Sequence, residues 1–317
     1  MTGIFLSILI ALISMGLSSL HPSLDSLVLS IILGMLTGNI FEKRAFLESG
    51  LNICIRFCLP AGIILYGSQL MINVKDISHL VLVPAVFIFT FAITFLVSRT
   101  LRINRQLSLL LSTGLSICGA SAIAVVSALT GAKKEETSLS IISIMVVGLI
   151  GLIIYPLFSS NSGLSNEGFA FLTGTTLPML GQVKVVGKTA GSDTLVSAVN
   201  YKLIRISLLI FLIIWFGLLR RETKPEGGFL SFPYAARSIL IAGFILLVIL
   251  TNTLKTPDLQ KILEPFSRFF LTVTLSAIGL SIDFDSVAEI GPRPLYSALI
   301  SWFITVLIVY MIGLYYV

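Results

Sequence analysis

Apolar runs of roughly 20 residues follow one another along almost the whole chain, and the short connections between them hold nearly all the charge. A bilayer core about 30 Å thick asks for helices of that length. The alternating runs of about 10 residues that a membrane barrel needs are absent. Of the 317 residues 11% are charged and 56% hydrophobic, where a soluble domain carries about 25% charged residues. The expected fold class is therefore an all-α polytopic membrane protein, a single membrane-embedded domain spanning 1–317.

Ten or eleven segments are expected, at about 3–20, 24–41, 51–73, 79–98, 107–130, 137–158, 167–185, 200–219, 234–251, 263–282 and 295–316. The seventh contains Thr173, Gly174, Pro178, Gly181, Gln182, Lys184, Gly187 and Lys188, and reads either as a broken crossing or as a re-entrant hairpin. The first has no basic residue ahead of its apolar run and no small-residue cleavage site, so it reads as a retained additional helix over 1–20. Cys54, Cys58 and Cys118 lie in apolar segments, which gives neither a disulfide scaffold nor a zinc site, and no metal or cofactor is expected. The net charge of +6 is dispersed among loops, which excludes a nucleic-acid-binding stripe.

Lys and Arg in short loops set orientation. With the N-terminus inside, Lys43 and Arg44, then Arg99, Arg102 and Arg105, then Arg220, Arg221 and Lys224, and finally Arg293 become cytoplasmic. Lys133, Lys134, Lys184, Lys188, Lys255 and Lys261 then fall on the other side.

The fifth segment thins at mid-depth to Thr113, Gly114, Leu115, Ser116, Ile117, Cys118, Gly119, Ala120 and Ser121. A helix broken in hydrocarbon frees backbone N–H and C=O groups, and survives only where protein or a hydrated cavity satisfies them. Its freed N-terminal end suits an anion and its C-terminal end a cation. Close packing through a small-residue face accounts for the same composition equally well.

Recurrence favours the break. Leu36, Thr37, Gly38, Asn39 is echoed by Leu172, Thr173, Gly174, Thr175. That pairs the second segment with the seventh and the fifth with the tenth, whose own small residues are Thr272, Thr274, Ser276, Gly279 and Ser281. The expected architecture is inverted five-helix repeats, 24–158 and 167–316, with discontinuous crossing helices. A competing match, Arg56, Phe57, Leu59 and Gly67 against Arg268, Phe269, Leu271 and Gly279, does not fit that register.

The run LSICGASAIAVVSAL ending at Leu129, the Gly-rich stretch ending in Gln182 and Val183, Lys202 with Leu203 and Arg205, and SAIGLSID followed by GPRPL resemble the bacterial inner-membrane family commonly labelled sulfate exporters. The resemblance implies the wider class of bile-acid and sodium–proton transporters, with inverted repeats crossing at broken helices in the cytoplasmic membrane. This chain departs from it at Pro178 and Met179, where family members usually carry a His and an acidic residue. A proton-handling role for that pair does not transfer. His21 and His79 sit near helix ends and do not replace it.

The expected substrate site comprises Ser116, Cys118, Gly119, Ser121, Gln182, Lys184 and Asn200. Lys184 is expensive at mid-bilayer unless it faces water or snorkels to an interface. Lys202 and Arg205, three apart at the expected start of the eighth segment, read as an anion-facing pair or as interface anchors. Asp283 and Asp285 read as cation-coupling residues or as a helix boundary. Secondary transport of a small anion by alternating access is the function expected, with coupling to sodium or protons open. An anion channel, or a carrier for an organic acid or a cation-coupled neutral solute, is the alternative. The expected partners are the anion, the lipid bilayer and, left open, a second copy in a homodimer. Nothing resembles a Lys-bearing ATP loop, an HExxH zinc motif or a serine with a His at its depth, so neither a primary pump nor an enzyme is expected.

Overall fold

A computed structural model describes residues 2–21, 24–40, 45–69, 77–159, 162–219, 234–254, 257–282, 285 and 290–315. The described residues are helical, with no strand among them. The helices are α1 (Thr2–Ser18), α2 (Ser26–Ile40), α3 (Ala45–Tyr66), α4 (Ile77–Thr100), α5 (Arg105–Ser116), α6 (Ala120–Thr130), α7 (Lys134–Phe158), α8 (Asn166–Thr176), α9 (Leu180–Thr189), α10 (Ser192–Ser207), α11 (Leu209–Leu219), α12 (Tyr234–Leu254), α13 (Pro257–Leu280) and α14 (Arg293–Tyr315). Six spans are long and apolar enough to cross a bilayer: 46–69, 81–100, 134–158, 192–216, 259–280 and 293–315. Large side chains such as Phe57, Ile88 and Phe303 stand exposed on these helices, and Phe5 on the shorter α1, as lipid-facing residues do.

The chain forms two compact units. The first takes 1–71, 124–139 and 210–291; the second takes 72–123, 140–209 and 292–317. In the first, α13 packs on α1, α2 and α3. Between lipid-solvated helices hydrophobicity supplies little attraction, so close approach through small residues must. A Cβ on Gly34 would lie 2.6 Å from the Ser276 carbonyl oxygen, and one on Gly38 would lie 2.5 Å from that of Leu280. Hydroxyls add cross-links: Ser276 Oγ donates to the Ser7 carbonyl at 2.7 Å and Ser267 Oγ to the Gly62 carbonyl at 3.0 Å.

In the second unit, α10 packs on α8 and α9, while α14 packs on α4 and α8. Two of the expected segments are interrupted here. The fifth divides at 117–119 into α5 and α6, and the seventh at 177–179 into α8 and α9. The tenth, expected to be discontinuous, is instead one unbroken helix, α13. Its Thr272 and Thr274 hydroxyls bond to carbonyls four residues back, at 2.6 and 2.8 Å, and its Gly279 meets the backbone of α2. The small residues of α13 therefore serve packing and not the break that its pairing with the fifth segment led one to expect. The eighth segment also differs from expectation, beginning at Ser192 and not near 200, with a turn at Leu208 before α11.

Candidate functional site at two interrupted helices

An α-helix leaves its last four carbonyls without intrahelical partners, and in hydrocarbon each must find one. At the end of α5 the account closes. The Thr113 carbonyl accepts from Ile117 N–H at 3.1 Å and the Gly114 carbonyl from Gly119 N–H at 2.9 Å. The Leu115 and Ser116 carbonyls accept from Arg205, through Nη2 and through Nε at 2.5 Å. At the end of α8, the Thr173 carbonyl accepts from Leu177 N–H at 3.2 Å. Those of Thr175 and Leu177 accept from Arg205 Nη1 at 2.5 and 3.2 Å.

Lys202, one turn before Arg205 on α10, joins the two breaks directly. Its Nζ donates to the carbonyls of Ile117, Leu177 and Pro178, each at 2.7 Å. Three acceptors match the three donors of an ammonium. Both cations are buried, Lys202 at 0% and Arg205 at 1% exposure. Their hydrogen-bond partners are all backbone carbonyls; among the described residues no carboxylate pairs with either. The acid of α8, Glu167, accepts instead from Tyr201 Oη at 2.7 Å, and stands about 13 Å along the helix from the break.

The sequence enforces both interruptions locally. Gly119 has φ +71°, a left-handed conformation open to glycine at little cost. Pro178 lacks an N–H and pushes the residue before it out of the helical region; Leu177 is accordingly extended, φ −70° and ψ 131°. The breaks are neighbours, since a Cβ on Gly119 would lie 3.4 Å from Met179 Cγ. Gln182 is buried on the first turn of α9, with Oε1 accepting from Met179 N–H at 3.2 Å. Its amide occupies the space beside α7 that a Cβ on Gly148 would fill. Cys118 Sγ, in the break, and Ser121 Oγ, on the first turn of α6, lie 2.8 Å apart. Tyr155 braces α8, its hydroxyl 2.5 Å from Thr176 Oγ1 and its ring stacked on Trp302.

Charge at this crossing is unbalanced towards positive. Two helix C-terminal ends of about −0.5 each face two full cations, and the N-terminal ends of α6 and α9 add about +0.5 each.

Ser116, Cys118, Gly119, Ser121 and Gln182 thus meet at or beside the breaks. Lys184 and Asn200 are exposed and do not join them, a correction set by helical period: Lys184 lies two residues past Gln182, on another face of α9. Lys202 and Arg205 are neither interface anchors nor a bare anion-facing pair. Because α10 begins at Ser192, Lys202 stands about three turns into the helix and Arg205 in its last turn, and both cap carbonyls. Asp285 is exposed and belongs to the other compact unit, and Asp283 lies outside the described residues. Sequence reasoning missed the acceptor carbonyls of Leu115, Ile117, Thr175, Leu177 and Pro178. Pro178 inside an apolar run was the available signal.

The fold and this site define a multi-pass helical membrane protein with interrupted helices pinned by buried cations. The chain belongs to the family described as "Conserved hypothetical protein 698", whose model matches residues 2–298. It is similar to a UPF0324 membrane protein of Archaeoglobus fulgidus, 30% identical over 297 residues that cover 92% of this chain and 86% of that protein. UPF0324 membrane proteins of Staphylococcus aureus and Streptococcus pyogenes are 29% and 28% identical, over 95% of this chain and 92% of each relative. No solved structure matches the chain.

Proposed function

We propose that the protein is a secondary carrier that moves a small anion across the cytoplasmic membrane by alternating access, with its site where the two interrupted helices meet. The observation that carries this reading is the burial of Lys202 and Arg205 with backbone carbonyls and, among the described residues, no carboxylate as partners. Once the C-terminal ends are occupied, the N-terminal ends of α6 and α9 remain to offer oriented N–H donors to an anion. Gln182, whose Oε1 is engaged with Met179, presents its NH2 group as a further donor. Neither cation needs to contact the substrate, so binding stays weak enough for release. The resemblance to proteins labelled sulfate exporters makes a sulfur oxyanion the first class of substrate to try.

The make-up of the compact units supports the inverted-repeat reading. The first joins α2 and α3 of the earlier repeat to α12 and α13 of the later; the second joins α4 and α5 to α8, α9 and α10. Each unit thus takes complementary elements from both repeats. The test is uptake and counterflow in proteoliposomes against a panel of small oxyanions, with thermal unfolding in detergent as the folding control. Saturable counterflow, reduced in Gln182→Ala while the protein stays folded, is expected. Uptake that never saturates would favour a channel, and the same kinetics in Gln182→Ala would move the site elsewhere.

A further inference from the structure

We propose that the Lys202 ammonium is a tethered occupant of a monovalent-cation site built from the Ile117, Leu177 and Pro178 carbonyl oxygens. In secondary transporters, unwound carbonyls and half-helix C-terminal ends are the groups that hold a coupling cation. Here three such oxygens, drawn from two chain breaks, converge on one point at 2.7 Å from Nζ. The occupant is fully buried, and its hydrogen-bond partners are neutral oxygens. Arg205 takes the adjoining carbonyls of Leu115, Ser116 and Thr175 and shares that of Leu177, so that the Ile117 and Pro178 carbonyls are held by the ammonium alone. A covalently held cation keeps the site filled whatever the ionic composition outside. The consequence for transport, which rests on the carrier reading above, is that anion movement needs no alkali cation at this crossing.

Removing the side chain should open the site. Purified Lys202→Ala and the parent would be unfolded thermally in methylammonium, sodium, potassium and choline chlorides at equal ionic strength. The parent midpoint is expected to be the same in all four. Lys202→Ala is expected to drop by on the order of 10 °C in choline and to recover at least half of that in methylammonium or sodium, which fit the vacated space where choline does not. Lys202→Met fills the same volume without charge, and is expected to drop and stay down in every salt.

Equal midpoints for Lys202→Ala in all four salts would overturn the proposal. So would equal recovery by Lys202→Met, a sodium-specific gain by the parent, or failure to obtain folded Lys202→Ala in any of these cations. Uptake by the parent in sodium- and potassium-free proteoliposomes tests the consequence, which an absolute need for either ion would overturn. Should the stability results hold while no anion is taken up, the carrier reading fails and the cation site stands.

Discussion

Gly119 and Arg205 show how single residues hold the crossing. At Gly119 the obstacle to a side chain is conformational, because a Cβ would only reach ordinary contact with Met179. Gly119→Val should cost roughly 1–2 kcal/mol from the left-handed backbone, and more for β-branching, whereas Gly119→Asn should cost less. Trimming Met179 to Ala in the Val variant should restore nothing; recovery of the thermal midpoint there would make the cost steric. Arg205→Lys should lose roughly 1–3 kcal/mol for each carbonyl left unpaired, since one ammonium cannot reach carbonyls on both sides as the planar fork does. An unchanged midpoint would contradict that set of bonds. The residues of the break were singled out in the sequence by glycine and hydroxyls clustered at mid-depth, a composition that close packing also explains. Lys202 and Arg205 were visible as charges, but their role was not, because it depends on which carbonyls two distant breaks bring to α10.

Helices were legible as elements to the extent that their pattern had one physical cause. Length and hydropathy mark α4, α7 and α14 plainly, since each is an unbroken apolar run. Thr, Ser and Gly in a membrane helix have two causes, interruption and close packing, and only local backbone chemistry separates them. The α5/α6 break carries a positive-φ glycine and the α8/α9 break a proline, whereas in α13 the Thr272, Thr274 and Ser276 hydroxyls bond back to their own helix and that of Ser267 crosses to α3. The echoed tetrapeptides illustrate the same ambiguity. Gly38 admits Leu280 of α13 and Gly174 admits Ala198 of α10, so both glycines permit close approach but to non-corresponding helices. Packing glycines should behave unlike free ones. Gly34→Ala places a Cβ 2.6 Å from the Ser276 carbonyl oxygen and should cost about 1–3 kcal/mol by forcing α2 from α13. Gly16→Ala meets nothing within 4 Å and should gain about 0.5–1 kcal/mol in helix stability. Similar midpoint changes for both variants would refute the close packing of α2 on α13.

For the whole molecule, the dense basic turn between α4 and α5 fixes the expected orientation, with Arg99, Arg102 and Arg105 cytoplasmic. Asn104 caps α5 through its bond to Leu107 N–H, so exposed Thr100 is the better reporter position. A cysteine at Thr100, in a background lacking Cys54, Cys58 and Cys118, should react with an impermeant thiol reagent only after cells are permeabilised. Labelling of intact cells would invert the topology. The division into compact units was not legible along the chain, because each unit gathers three separated stretches. What unites residue, element and molecule is the excess of positive charge where α5/α6 meets α8/α9, and the sign of the charge that moves through the protein tests it most directly. Proteoliposomes adsorbed on a supported membrane electrode, challenged in turn with small oxyanions, cations and neutral solutes, report that sign as a transient current. The account predicts a saturable displacement of negative charge with at least one oxyanion, lost in Gln182→Ala. Displacement of positive charge by a cation, with no response to any anion, would contradict it.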